Sequence, residues 1–157
     1  MTVLRKRMID DLRLGGYSSC TVELYVSSVA AFAKYYKKSP ALCGREEVRS
    51  WLLHLQTKGI AANTIRIYLF GLKFFYTKTL GRPEIVADLP LPKLRKTIPV
   101  VLSCAEVQAL LDALATPRMR MFFTLVYATG LRLREACVLE TRDVQKERGV
   151  IHVRHGK

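Results

Sequence analysis

Apolar residues recur at three- and four-residue intervals through the first eighty positions and again between 103 and 139, which predicts a mainly α chain. A first helix is expected over residues 2–14, with Leu4, Met8, Ile9 and Leu12 on one side and Gly15-Gly16 at its end. A second begins near Ser18-Ser19-Cys20-Thr21, capped by one of these hydroxyls. Its stripe is Val22, Tyr25, Val26, Val29, Phe32, Ala33 and Tyr36, and it stops at Lys37-Lys38-Ser39-Pro40. A third spans roughly Arg45 to Thr57 with Val48, Trp51, Leu52 and Leu55 inward. The fourth runs from Asn63-Thr64 to about Leu80, striped by Ile65, Tyr68, Leu69, Leu72, Phe75 and Tyr76. Thr21, Val22, Tyr25 and Phe32 repeat as Thr64, Ile65, Tyr68 and Phe75 at a constant offset of 43. Two helical hairpins packed as a four-helix bundle are therefore expected, since neither pair can bury its stripe alone.

The pattern breaks at Gly81. From there to Pro99 the chain holds four prolines and four basic residues, which predicts an extended connector, because proline removes a donor and restricts its predecessor. The organisation read from these breaks is a helical domain at 1–81, a basic linker at 82–100 and a second domain at 101–157. Ser103 and Glu106 have capping-box spacing for a helix carrying Val107, Leu110, Leu111 and Leu114. The run Met121–Val126 reads as a buried helix ending at Gly130, followed by a short helix with Leu133, Ala136, Cys137 and Leu139 inward. Alternation over Gly149–Arg154 predicts a strand, with a turn at His155-Gly156-Lys157.

Charge narrows the partner. The chain carries a formal +13 over 157 residues, and residues 1–100 hold 17 Lys/Arg against 7 Asp/Glu, so most of the excess lies in the first part. A polyanion is favoured; charge alone does not separate DNA, RNA and anionic membrane. Cys20, Cys43, Cys104 and Cys137 are widely spaced and read as buried small hydrophobes, with neither a disulfide framework nor a metal site. The N-terminus lacks the apolar run of a signal peptide, and no stretch reaches membrane-spanning length, so no membrane role and a cytoplasmic location are expected.

Arg66, Lys73 and Thr77 share one side of the fourth helix, away from its apolar stripe, and Ser27 and Lys34 do so on the second. Such faces are ordinarily solvated. They also have what a helix needs against a DNA backbone: cations for phosphate and small hydroxyls for close approach. Lys93, Arg95 and Lys96 add charge on the connector. Arg132 falls at the break between two apolar helices, where its permanently charged fork either caps or pairs locally or meets a phosphate.

The stretch LVYATGLRLRE around Arg132 resembles the box carrying the first catalytic arginine of the tyrosine recombinase (phage integrase) family. The order of two hairpins, the LPLPK connector, PVVLSCAEVQALL and ATGLRLREACVLETRDV is similar to that family from residue 5 to 157. The resemblance implies a SAM-like core-binding bundle, then the helical opening of an α+β catalytic domain. It implies binding of double-stranded DNA in integration or recombination and leaves self-association on DNA open. In the family a tyrosine attacks a phosphodiester to give a 3′-phosphotyrosyl link, two arginines hold the phosphate oxygens, and no metal or nucleotide cofactor is required. Arg132 matches the first arginine, Lys157 the catalytic lysine of the following hairpin, and Glu135 and Asp143 acidic positions of structural support. No His-x-x-Arg follows Arg132 and all seven tyrosines precede it. The chain therefore reads as the N-terminal portion of a recombinase, expected to bind DNA but not to cleave it. The alternatives are a stand-alone DNA-binding or regulatory helical protein, and a helical module whose charge serves RNA or solubility.

Overall fold

The stripes of the first eighty residues become four packed helices in the computed structural model, which describes residues 2–94 and 98–154. The chain divides into two units, Met1–Thr97 and Ile98–Lys157. In α1 (Val3–Leu14) the Thr2 hydroxyl accepts the Arg5 N–H, and α2 (Ser19–Tyr36) starts likewise with Ser18 accepting from Thr21. Helix α3 (Arg45–Thr57) has no hydroxyl at its start; there the Glu47 carboxylate reaches back to accept the Gly44 N–H at 2.9 Å. Helix α4 (Ala62–Phe74) runs on into a π-helical turn, Phe75–Thr79.

The expected stripes are the core. Met8, Leu12, Val26, Val29, Phe32, Val48, Trp51, Leu55, Ile65, Leu69, Leu72, Phe75 and Tyr76 are buried, and Leu4, Ile9, Val22, Tyr25, Tyr36, Leu52 and Tyr68 pack against them. Trp51 lies 5.3 Å from Phe32 and 5.4 Å from Tyr68, ring centre to ring centre. Buried polar groups are paired: the Tyr76 hydroxyl donates to the Pro40 carbonyl at 2.8 Å, and that of Thr79 to the Asp11 carboxylate at 2.8 Å. Helices α2 and α4 cross at Ser28 and Gly71, which are equivalents under the 43-residue offset. A Cβ on Gly71 would sit 2.9 Å from Ser28 Cβ and 3.0 Å from the Tyr25 carbonyl oxygen, so glycine is what lets the helices approach.

The connector differs from the extended segment that its prolines suggest. Pro83–Ile85 form a 3-10 turn, and Ile85, Val86 and Leu89 are buried in the core of the first unit. Proline at the first position of such a turn costs no hydrogen bond, and the spacing of these apolar residues lets one tight turn bury all three.

The second unit holds α5 (Cys104–Asp112), α6 (Pro117–Thr129) and α7 (Leu133–Cys137). Ser103 and Glu106 form the full capping box: Glu106 N–H donates to Ser103 Oγ, and Ser103 N–H to Glu106 Oε2 at 2.7 Å. A two-stranded antiparallel ladder follows, β1 (Val144–Gln145) with β2 (Val150–Ile151), pairing Val144 with Ile151 and Gln145 with Val150. The strand expected at 149–154 is thus shorter, and it pairs backwards with a polar stretch that shows no alternation.

Burial in this unit departs from expectation. Ala136 is buried and Leu139 half-buried, but Leu133 is 62% exposed, Met121 70%, and Cys137 is exposed. Helix α5 packs on α6 and α6 on α7, and these contacts leave part of each apolar surface uncovered among the described residues. Of the cysteines, Cys43 is buried and its thiol is pushed up by burial, whereas Cys20, Cys104 and Cys137 are exposed, contrary to the reading of all four as buried. Cys20 and Cys104 occupy the first turns of α2 and α5, on the outer side. No helix among the described residues is long and apolar enough to cross a membrane.

Candidate catalytic loop and nucleic-acid interface

Arg132 owes its place to a glycine and a glutamate. Gly130, in the left-handed conformation at φ 66°, ends α6 and turns the chain, a backbone state that a side chain would strain. Arg132 then serves as the N-cap of α7. It has no side chain able to accept the first N–H groups of that helix, and Glu135, one turn on, supplies the carboxylate. Glu135 Oε2 accepts the Arg132 backbone N–H at 2.9 Å while Oε1 accepts from Arg132 Nη1 at 2.7 Å. Both ends of the arginine are thereby held by one carboxylate. The Arg132 side chain is 68% exposed and that of Glu135 12%, so the fork faces solvent on a shielded anchor. The backbone N–H of Arg132, with its guanidinium second, holds the Glu135 carboxyl below its ordinary pKa, and the carboxylate stays charged at neutral pH. The two bonds fix direction as well as charge, and among the described residues the remaining guanidinium donors have no protein partner.

Asp143 is buried at the hairpin. Its carboxylate accepts the Glu140 N–H at 2.9 Å and is paired with Arg154; the backbone bond first and the arginine second hold its pKa down. Arg154 also reaches Glu140 at 3.7 Å. Glu135, Asp143, His152 and Arg154 line one small cleft of about 180 Å³. Sequence reasoning missed Arg154 and Glu140. The signal was faint: they lie on either side of the hairpin, eleven and three residues from Asp143, and the ladder joins them. Lys157, together with Arg95 and Lys96, lies outside the described residues.

In the first unit Lys34 and Ser27 are exposed on α2, with the Ser27 hydroxyl donating to the Leu24 carbonyl at 2.9 Å. Lys73 is half-buried on α4 and Thr77 is exposed on the π turn. Neither Lys34 nor Lys73 enters an ion pair among the described residues. Arg66 is different. Its Nη1 donates to the Pro92 carbonyl at 3.3 Å, and its guanidinium lies 5.8 Å from the centre of the Phe70 ring. Lys93, next to Pro92, is exposed. Tyr127, on α6, is 59% exposed, and its hydroxyl pKa is raised, first by its interaction with Cys104.

Comparison with known proteins gives these two units a family. Residues 4–85 match the phage integrase N-terminal SAM-like domain, and residues 101–157 match the phage integrase family. A putative integrase/recombinase of Sinorhizobium fredii is 38% identical over 159 residues, covering 100% of this chain and 52% of that protein. The tyrosine recombinase XerA of Pyrococcus furiosus is 30% identical over 160 residues, covering 98% and 54%. A crystal structure of XerA recombinase aligns with 98% of this chain and 55% of that one, at 26% identity and a TM-score of 0.47. The chain spans about half the length of the curated relatives it matches. With the bundle and the arginine-bearing unit each matched in order, the chain belongs to the phage integrase family of tyrosine recombinases.

Proposed function

We propose that this chain binds double-stranded DNA as the N-terminal part of a site-specific tyrosine recombinase, within the cytoplasm, and that Arg132 presents its guanidinium to the phosphate that is to be cleaved. The observation that carries this is the Arg132–Glu135 arrangement: a fork held at backbone and Nη1 by one carboxylate, yet 68% exposed. A donor fixed in advance stabilises charge developing on phosphate oxygens without reorganising during the reaction. Glu135 positions that arginine, and Asp143, through Arg154 and Glu140, supports the hairpin leading to Lys157, the residue we assign to protonating the leaving oxygen. Ser27, Lys34, Lys73, Thr77 and Lys93 are the proposed backbone contacts, joined by Arg95 and Lys96 on the connector. The named activity of the relatives supports the same reading. Self-association on DNA would belong to the complete recombinase.

Binding and chemistry separate in one experiment. The 157-residue chain is expected to shift a duplex at low salt and to form no covalent adduct with a nicked suicide substrate, because its tyrosines all precede Arg132. An adduct would overturn the assignment of roles. Failure to bind any duplex would favour the RNA or solubility reading of the charge.

A further inference from the structure

Among the described cations of the two basic helix faces, Arg66 is the one already engaged by the protein, and its partner is the connector. Three attachments hold the segment after Gly81 to the first unit. Arg82 Nη1 donates to the Ala41 carbonyl at 3.0 Å; Ile85, Val86 and Leu89 are buried; and Arg45 lies 3.7 Å from Asp88, itself at φ 55°. Beyond Leu89 burial gives out, and Leu91, Lys93 and Leu94 are exposed. The bond from Arg66 to the Pro92 carbonyl is the last side-chain hold on this segment among the described residues. Pro92 has no N–H, so its carbonyl is the only backbone group of that residue that a side chain can grip. Phe70, one turn along α4, lies within cation–π reach of the guanidinium, and a planar fork loses little freedom when it donates.

We infer that Arg66 is a positioning residue, a clasp that holds the connector to α4 at Pro92 and so sets the point where the chain leaves the first unit. This goes beyond the DNA-binding reading and stands without it. Lys73 and Thr77, farther along the same helical stripe, keep the role of phosphate contacts, and Arg66 does not share it. The clasp moves the last held point of the connector from Leu89, its last buried residue, to Pro92.

Native-state trypsin digestion of the full chain tests this without DNA. The fragment ending at Lys93 is quantified by mass spectrometry and normalised to cleavage after Lys58, in the exposed turn that ends α3. Loosening all of the fold would raise both cuts; opening the clasp raises one. Arg66→Ala is expected to increase the normalised cut about ten-fold, the scale for losing one hydrogen bond from a charged donor. Arg66→Lys, which keeps a cationic donor, is expected to restore at least half of the protection. An unchanged ratio in Arg66→Ala, or a lysine variant as open as alanine, overturns the clasp. So does a fall of about one unit in the log–log salt slope of duplex binding in Arg66→Ala, which would make Arg66 a phosphate contact after all.

Discussion

Gly71→Ala is a substitution for which helix propensity and packing predict opposite signs. Alanine is favoured over glycine in a helix interior by about 1 kcal/mol, so propensity alone makes the variant more stable. The structure says otherwise. The new Cβ would lie 2.9 Å from Ser28 Cβ, where carbon atoms at rest keep about 3.5–4.0 Å, and 3.0 Å from the Tyr25 carbonyl oxygen. Neither neighbour is the free end of a side chain, so α2 itself has to move off α4, and these are the two most extensively packed helices of the bundle. Overpacking of this kind costs about 1–3 kcal/mol; taking the middle of that range less the propensity gain leaves a net loss of about 1 kcal/mol. For a unit of this size that is a drop of about 4–8 °C in Tm. Trp51 is the sole tryptophan, is 3% exposed and belongs to the bundle, so its fluorescence during urea unfolding reports the first unit by itself. Repeating the substitution in a Ser28→Gly background removes the 2.9 Å contact, and the penalty of Gly71→Ala should shrink by about 1 kcal/mol in that double-mutant cycle. A Gly71→Ala protein as stable as the parent or more so, with no coupling to Ser28, would refute the close crossing.

Three further outcomes are expected. Phe32→Ala removes a fully buried ring between Tyr36 and Trp51 and should cost about 3–5 kcal/mol in the same urea assay, with altered Trp51 emission in any folded remainder. Lys73→Ala should lower the log–log salt slope of duplex binding by about 0.9 and weaken all sequences alike; a loss confined to one sequence would make it a base contact. Glu135 should titrate below ordinary glutamates by carbon-detected NMR and move back upward in Arg132→Ala. Because its folded pKa is depressed, its support of the arginine loop is present above the unfolded value of about 4.3 and is lost as pH falls through the folded one. An ordinary titration would show that the Arg132 contacts do not persist in solution.

How much of this was legible beforehand varies along the chain. The bounds of α3 and the capping box at Ser103 follow from local chemistry: a glutamate placed to reach back, a serine three residues before an acceptor, apolar residues at helical spacing. The arginine loop was also local, since Gly130, Arg132 and Glu135 lie within six residues and their bonds span three. Sequence alone likewise set the mainly α character of the bundle and its buried stripes, because periodicity in a helix is itself the record of which side faces its neighbours. Tertiary structure decided the rest. It turned three residues of a proline-rich linker, Ile85, Val86 and Leu89, into core, and it engaged Arg66 with a carbonyl 26 residues away. It paired Asp143 with Arg154 across a two-residue ladder, and it left Leu133, Met121 and Cys137 exposed on helices that read as buried. An apolar residue records a preference for leaving water, but only the neighbours present in three dimensions determine whether anything covers it, and a lone arginine records a charge without recording whose oxygen it will meet.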